Sequence, residues 1–216
     1  MKMSGKYDSS LTVFSPDGHL IQVEHAHKAV ERGTSAVAVR SAAGIVLAIE
    51  RKQTARLQDP RASQKIFDVD DHIIATFAGL TADARVLIDR ARLECQAYRM
   101  TYDVAPSVEI IAKAVASILQ SHTHRGGTRP FGVSIILAGN DLNGSHIFMC
   151  DPSGVYTEWK ALAIGNQCVT IIEFLEKKLK EGEPQNTNDA LSLAKAALSE
   201  LIDVNDETFQ YKVLKA

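Results

Sequence analysis

Three residues in the first third of the chain have the types that a threonine nucleophile needs. Thr34 follows Gly33 at the head of the first predicted strand, Glu50 ends the second, and Lys65 precedes the third. If the chain is cut before such a threonine, the freed amine can act as base for the hydroxyl. A nearby carboxylate and lysine would adjust the proton affinities. These residues therefore outline an autoprocessed N-terminal threonine peptidase.

The same residues are also compatible with a chain that performs no catalysis. An internal threonine has its nitrogen in an amide, which takes no proton at neutral pH, so Thr34 can be an ordinary strand threonine and Lys65 a surface lysine. The sequence contains no phosphate-binding GxxxxGK[ST] loop, no HExxH and no GxSxG elbow. His122 and His124 have no third ligand beside them, and we interpret them as part of a solvated polar loop. We expect no catalytic residue, no metal and no cofactor.

The spacing of apolar residues predicts a helix over Leu20–Arg32, before any strand. Blocks of strands then alternate with pairs of helices. The predicted strands are 35–40, 45–50, 66–69, 72–78, 132–139, 145–150, 155–162 and 208–214, and the later helices are 80–99, one opening at Pro106-Ser107, 166–180 and 187–203. Helix pairs between hairpins do not suit a parallel sheet. They predict an α+β fold of four layers, with two antiparallel sheets between two helix pairs.

The composition favours a single globular domain. The chain has 216 residues, 45% hydrophobic and 23% charged, and its net charge of −2 argues against nucleic-acid binding. No apolar run reaches the ~18 residues of a membrane span, and the start MKMSGKYDSS has no signal-peptide core. Three cysteines without CxxC spacing indicate a reducing compartment, so we expect the cytoplasm or nucleus. Residues 1–10 are predicted to form a flexible tail, and residues 11–216 the domain.

Several long stretches match one known family in order. They are Tyr7-Asp8 with FSPDGHLIQVEHA (14–26), GLTADARVLIDRAR (79–92), RPFGVSIILAG (129–139) and DPSGVYTEWKALAIG (151–165). The chain resembles proteasome α-type subunits from Tyr7 to about Leu179, and within them it looks most like the eukaryotic α7 class. The resemblance implies the N-terminal-nucleophile hydrolase sandwich with an extra N-terminal helix. Because family members usually continue into another helix, the end at Ala216 leads us to expect a trimmed outer layer or an exposed sheet edge.

The resemblance also implies a role in an assembly. Seven α subunits form each outer ring of the core particle, template the β ring beneath and close the axial pore with their N-terminal segments. The expected partners are neighbouring α subunits, β subunits, and regulatory particles or other activators that dock through C-terminal tails, in ATP- and ubiquitin-dependent protein degradation. Thr34 then marks a relic nucleophile position, because the extra helix occupies the place of a removed propeptide. Glu50 stands where catalytic members have aspartate.

Two groups of site residues follow from the resemblance. Tyr7, Asp8 and Pro16 match positions that order the tails when the gate opens, and His25 stands where a tyrosine is usual. Ser9 replaces the arginine of the usual YDR, a second departure. The other group is the pocket for an activator's C-terminal carboxylate, at Lys65 with Gly33 and Leu80. An ammonium at such a cleft can hold a carboxylate by a charge-assisted hydrogen bond.

Overall fold

The computed structural model describes residues 13–51, 64–201 and 208–215. Helices and strands in these ranges follow the order expected from the sequence. The helices are α1 (Ile21–Glu31), α2 (Thr81–Tyr102), α3 (Val108–His124), α4 (Cys168–Glu181) and α5 (Thr187–Ser199). The strands are β1 (Ala36–Ser41), β2 (Gly44–Glu50), β3 (Ile66–Asp70), β4 (Ile73–Gly79), β5 (Val133–Asp141), β6 (Gly144–Cys150), β7 (Tyr156–Glu158), β8 (Ala161–Ile164) and β9 (Phe209–Lys215).

The strands form two sheets in which every pairing is antiparallel. One sheet has the order β8-β1-β2-β9, and the other has the order β3-β4-β5-β6-β7. Hairpins join β1 to β2, β3 to β4, and β5 to β6. The predicted last strand is confirmed as β9, which pairs with β2 and lies at the edge of the four-stranded sheet.

The apolar side chains divide into three buried clusters, which define four layers. Between the sheets, Ala38 and Leu47 on one side meet Ile74 and Ile136 on the other. The opposite face of β1, with Val37 and its neighbours, packs on α4 and α5. The third cluster joins the five-stranded sheet to α2 and α3. Because β1 and β2 are covered on both faces, their sequences are continuously apolar rather than alternating. The predicted αββα sandwich is confirmed.

Helix α1 lies outside the four layers and ends beside the start of β1. Val23, Ala26 and Val30 form its buried side, and the helix packs across β4 and β5. Val30 joins the cluster between the sheets. The predicted N-terminal helix is therefore present, and it leads the chain directly into residues 33–35.

The predicted strand over 155–162 is wrong in one respect, because it is two strands in different sheets. β7 pairs with β6, whereas β8 pairs with β1. The chain changes sheet at Trp159-Lys160, where Trp159 N donates to Ile147 O at 2.9 Å and Lys160 O accepts from Arg40 N at 3.0 Å. A short apolar run does not reveal which sheet each half joins, so the sequence pattern could not show this crossing.

The polar loop predicted at His122 and His124 is also wrong, since both histidines lie in the last turn of α3. His122 Nδ1 is 2.9 Å from Ile118 O, and its ring packs on Phe131 with centroids 4.5 Å apart. Within the described ranges, no group of three histidine, cysteine or acidic side chains is placed to hold a metal ion. None of the helices in those ranges is long and apolar enough to cross a membrane.

Candidate functional site

The structure brings Thr34, Glu50 and Lys65 together at the point where α1 gives way to β1. Lys65 Nζ donates to the carbonyl oxygen of Thr34 at 3.2 Å and also to Thr34 Oγ1. Glu50 is fixed by Ser35, whose N–H donates to Glu50 Oε2 at 3.0 Å and whose carbonyl accepts from Glu50 N at 2.9 Å. The three residues that sequence reasoning selected are therefore neighbours in space, although they are far apart along the chain.

Lys65 is the residue of this corner whose pKa departs most from its ordinary value. Burial lowers the pKa of Lys65 to about 8, and the negative charge of Glu50 opposes part of that shift. The ammonium also lies 5.2 Å from the centroid of the Phe77 ring, within the range of a cation–π contact. Near neutral pH the lysine therefore remains mostly protonated, but it loses its proton far more readily than an exposed lysine does.

Glycines around Thr34 allow the neighbouring backbone segments to approach one another closely. A Cβ on Gly33 would lie 2.3 Å from Gly79 N, and one on Gly79 would lie 2.2 Å from Gly132 O. A Cβ on Gly165 would lie 2.6 Å from Thr34 O. No side chain fits at such distances, so this corner depends on glycine at each of these positions. Sequence reasoning selected only Gly33; the other two, Gly79 and Gly165, stand at or next to strand ends, which was the available signal.

Asn166 is a residue of this corner that sequence reasoning missed. Its N–H donates to Gly33 O at 2.8 Å, and its carbonyl accepts from Ser35 Oγ at 3.0 Å. The backbone is thus held on both sides of Thr34. Asn166 lies far away in the sequence and carries no motif, so only the fold reveals its contact. As long as the peptide bond between Gly33 and Thr34 is intact, the Thr34 nitrogen is an amide and cannot act as a base.

The residues of the expected carboxylate pocket meet at the same corner. Gly33 packs against Gly79, which directly precedes Leu80, and Lys65 reaches Thr34 beside them. Leu80 is 47% exposed, and its N–H donates to Gly132 O at 2.9 Å. The structure therefore places an exposed apolar side chain and a half-buried ammonium around one glycine. Whether this corner binds a carboxylate stays a prediction.

An ion pair anchors the start of α2 beside Leu80. Asp83 accepts two hydrogen bonds from the Arg129 guanidinium, at 2.6 and 2.7 Å, and a third from Gly132 N at 3.0 Å. The hydrogen bonds from Arg129, opposed by burial, hold the pKa of the Asp83 carboxyl below its usual value. A bidentate pair of this kind fixes orientation. It therefore sets the position of Leu80 at the helix start.

Of the expected gate cluster, Tyr7 and Asp8 lie outside the described residues. Pro16 occupies a turn closed by a hydrogen bond from Gly18 N to Ser15 O at 2.8 Å, with Gly18 at φ +81°. Pro16 is exposed there, and His25 is exposed on α1. The cluster's role in gating stays a prediction.

Comparison with known proteins gives matches along nearly the whole chain. The family model of proteasome subunits matches residues 30–214, and the model of the N-terminal signature of A-type proteasome subunits matches residues 7–29. The chain is 48% identical to the alpha type-7 proteasome subunit of Dictyostelium discoideum, over 98% of this chain and 84% of that protein. It is 44% identical to the alpha type-8 proteasome subunit of Mus musculus, over 99% and 86%. Identity to the alpha proteasome subunit of Methanocaldococcus jannaschii is 48%, over 89% and 73%.

Proposed function

The chain belongs to the proteasome subunit family, in which it is an α-type member of the core particle, and on this premise we propose that it is a non-catalytic structural and gating subunit of the outer heptameric ring. In this role it contacts neighbouring α subunits at its sides and β subunits below. It controls the entry of substrates and docks activators through their C-terminal tails, in ATP- and ubiquitin-dependent degradation. Docking is the part of the proposal for which the geometry of the chain offers the most support.

The observation that carries the docking proposal is the corner around Lys65. A half-buried ammonium lies there beside an exposed Leu80, and Gly33 allows the backbone segments next to them to approach closely. An activator's terminal carboxylate suits this site because it can accept a charge-assisted hydrogen bond from the ammonium. The last side chains of the tail would then rest against the apolar surface of Leu80.

Replacing Lys65 tests the docking site. Lys65→Ala removes the ammonium, and a hydrogen bond to a charged group is worth about 1.5–3 kcal/mol, so binding at this pocket should weaken about tenfold or more. In the assembled particle, we expect a higher activator concentration for half-maximal peptide hydrolysis. Assembly itself, followed by native gel and sedimentation, should be unchanged.

Lys177→Ala serves as the matched control, because Lys177 is an exposed lysine on α4, away from the corner. It should leave both stimulation and assembly as in the wild type. If Lys65→Ala behaves like this control even in particles whose other pockets are blocked, the docking role of Lys65 is disproved.

The gating proposal concerns residues 1–10, which contain Tyr7 and Asp8. It is supported by the match of the α-type N-terminal signature to residues 7–29. Deleting residues 1–10 should raise the basal hydrolysis of a small fluorogenic peptide, because a tail that blocks the pore would be gone. The rate at saturating activator should stay the same, since the gate is then already open. An unchanged basal rate would show that this tail does not close the pore.

We also propose that the chain functions in the cytoplasm and nucleus. Support comes from Cys95, Cys150 and Cys168, which are all free thiols. Burial raises the pKa of Cys95 and Cys150 to about 12, which keeps both unreactive. Fractionation of cells that carry a tagged chain is the test, and recovery mainly in a membrane-enclosed organelle other than the nucleus would contradict the proposal.

A further inference from the structure

We propose that Thr34 is a positioning residue for the docking lysine, holding the Lys65 ammonium in place through its side-chain and main-chain oxygens. The inference rests on the proposed docking of an activator carboxylate at Lys65. It gives the Thr34 hydroxyl a present role in recognition, in addition to any history as a nucleophile.

The hydrogen-bond capacity of Lys65 supports this assignment. An ammonium has three N–H donors. Within the described residues, Nζ uses two of them, and both go to Thr34, one to the carbonyl oxygen at 3.2 Å and one to Oγ1. The third donor is left for a further acceptor, and a terminal carboxylate oxygen supplies one. The existing contacts therefore fix the ammonium without consuming its capacity to bind.

Thr34 is suited to this task because its own position is rigid. The carbonyl before it accepts from Asn166 N, and the residue after it is tied to Glu50 through two hydrogen bonds. Gly165 approaches Thr34 O so closely that a Cβ on it would lie 2.6 Å away. A long flexible lysine loses rotamer freedom when it binds a ligand, and an anchor that fixes it beforehand lowers that cost.

The same contacts favour the charged form of Lys65, because an acceptor that takes a hydrogen bond from an ammonium stabilises that form. Burial lowers the pKa of the lysine to about 8, so any further loss of stabilisation would leave a larger fraction of Lys65 uncharged near neutral pH. Among the described residues, the charged group that acts on it is Glu50 on β2, and the ring facing it is Phe77 on β4. Loss of the Thr34 hydroxyl removes an acceptor from the charged form, which should lower the pKa of Lys65 further.

The test uses assembled core particles that carry Thr34→Val, Thr34→Ser or Lys65→Ala. Valine has nearly the shape of threonine but no hydroxyl, and serine restores the hydroxyl. Thr76→Val is the matched control, because Thr76 is fully buried on β4 and its Oγ1 has no hydrogen-bond partner among the described residues. The probes are a synthetic peptide that copies an activator's C-terminal segment with a free carboxylate, the same peptide as an amide, and trace acetic anhydride.

Two readouts are expected to change together. With wild-type particles, binding of the carboxylate peptide should fall as pH rises through about 8, as Lys65 loses its proton. Acetylation of Lys65, followed by mass spectrometry, should rise over the same range. In Thr34→Val both midpoints should move to lower pH, and binding near neutral pH should weaken about tenfold. Thr34→Ser should restore both midpoints, whereas Thr76→Val should match the wild type.

The outcomes separate this inference from the docking proposal. If Lys65→Ala binds the carboxylate peptide as the wild type does, docking at Lys65 is wrong and the inference falls with it. If Lys65→Ala loses binding while Thr34→Val keeps both the wild-type affinity and the wild-type acetylation profile, only the role of Thr34 is overturned. A Thr34→Val defect that serine fails to restore would also overturn it, because the hydroxyl would then not be responsible.

Discussion

Whether Thr34 could act as a nucleophile depends on whether its nitrogen is a free amine or part of a peptide bond. The sequence indicated that Thr34, Glu50 and Lys65 would meet, and the structure places them together. Their residue types alone left a peptidase and an inert strand threonine both open. The two readings differ in whether the peptide bond before Thr34 is kept, and the segment before that bond is α1, packed through Val30, and Gly33, whose carbonyl accepts from Asn166 N. Asn166 could not be found from the sequence, because its contribution is a backbone contact made by the fold.

A mass measurement tests the non-catalytic role at this residue. If Thr34 keeps its peptide bond, the chain from purified particles should retain residues 1–33, because the amide nitrogen cannot act as base for the hydroxyl. A threonine-directed covalent inhibitor should label catalytic subunits of the same particle and leave this chain unlabelled. A chain that begins at Thr34 and carries the inhibitor there would establish the peptidase instead.

At the level of elements, the helices were easier to predict than the junctions. The sequence placed a helix over 80–99 and another opening at Pro106-Ser107, which are α2 and α3, and Ser107 Oγ caps α3 by accepting from Ile110 N at 3.4 Å. The crossing between β7 and β8 was missed because sheet membership depends on long-range pairing. The stacking of Gly33 on Gly79 was missed for the same reason, since it joins the end of α1 to the end of β4.

This stacking predicts the effect of a single added methyl group. Gly33→Ala would place a Cβ about 2.3 Å from Gly79 N, so α1 and β4 must separate. Overpacking of this kind costs about 1–3 kcal/mol, which for a chain of this size lowers the melting temperature by roughly 2–12 °C. Differential scanning calorimetry of the purified chain measures the shift. Because Thr34 adjoins Gly33, carboxylate-peptide binding by assembled particles should weaken as well.

The matched control is Gly126→Ala, where an added Cβ meets nothing within 4 Å and the backbone does not have a positive φ. Its melting temperature should lie within about 2 °C of the wild type, because substitutions at exposed positions that disturb no packing or strained backbone change stability little. Equal melting temperatures for Gly33→Ala and Gly126→Ala would show that the contact between α1 and β4 yields easily and does not define the corner.

For the whole molecule, one feature is not explained by the fold of a single chain. α2 buries one side against α3 and the five-stranded sheet, yet its outer side carries Val86, Leu93 and Met100 at intervals of seven residues, 51%, 59% and 89% exposed. Seven residues are almost two helical turns, so these side chains form one stripe along the helix. Exposed apolar stripes are typical of surfaces that a partner covers. A subunit of the proteasome core particle has such partners, because it assembles with other proteasome subunits.

Leu93→Asp tests whether assembly covers this stripe. Because Leu93 is 59% exposed and contributes little to the core, the variant should melt within about 2 °C of the wild type as an isolated chain. A carboxylate buried without a partner at an interface costs about 2–5 kcal/mol, so incorporation into core particles should fall by tenfold or more when the variant competes with the wild type. Quantitative mass spectrometry of purified particles gives the ratio. Leu142→Asp makes the same change at the fully exposed turn between β5 and β6, away from the stripe, and should incorporate normally. Equal incorporation of both variants would mean that no neighbouring subunit covers the outer side of α2.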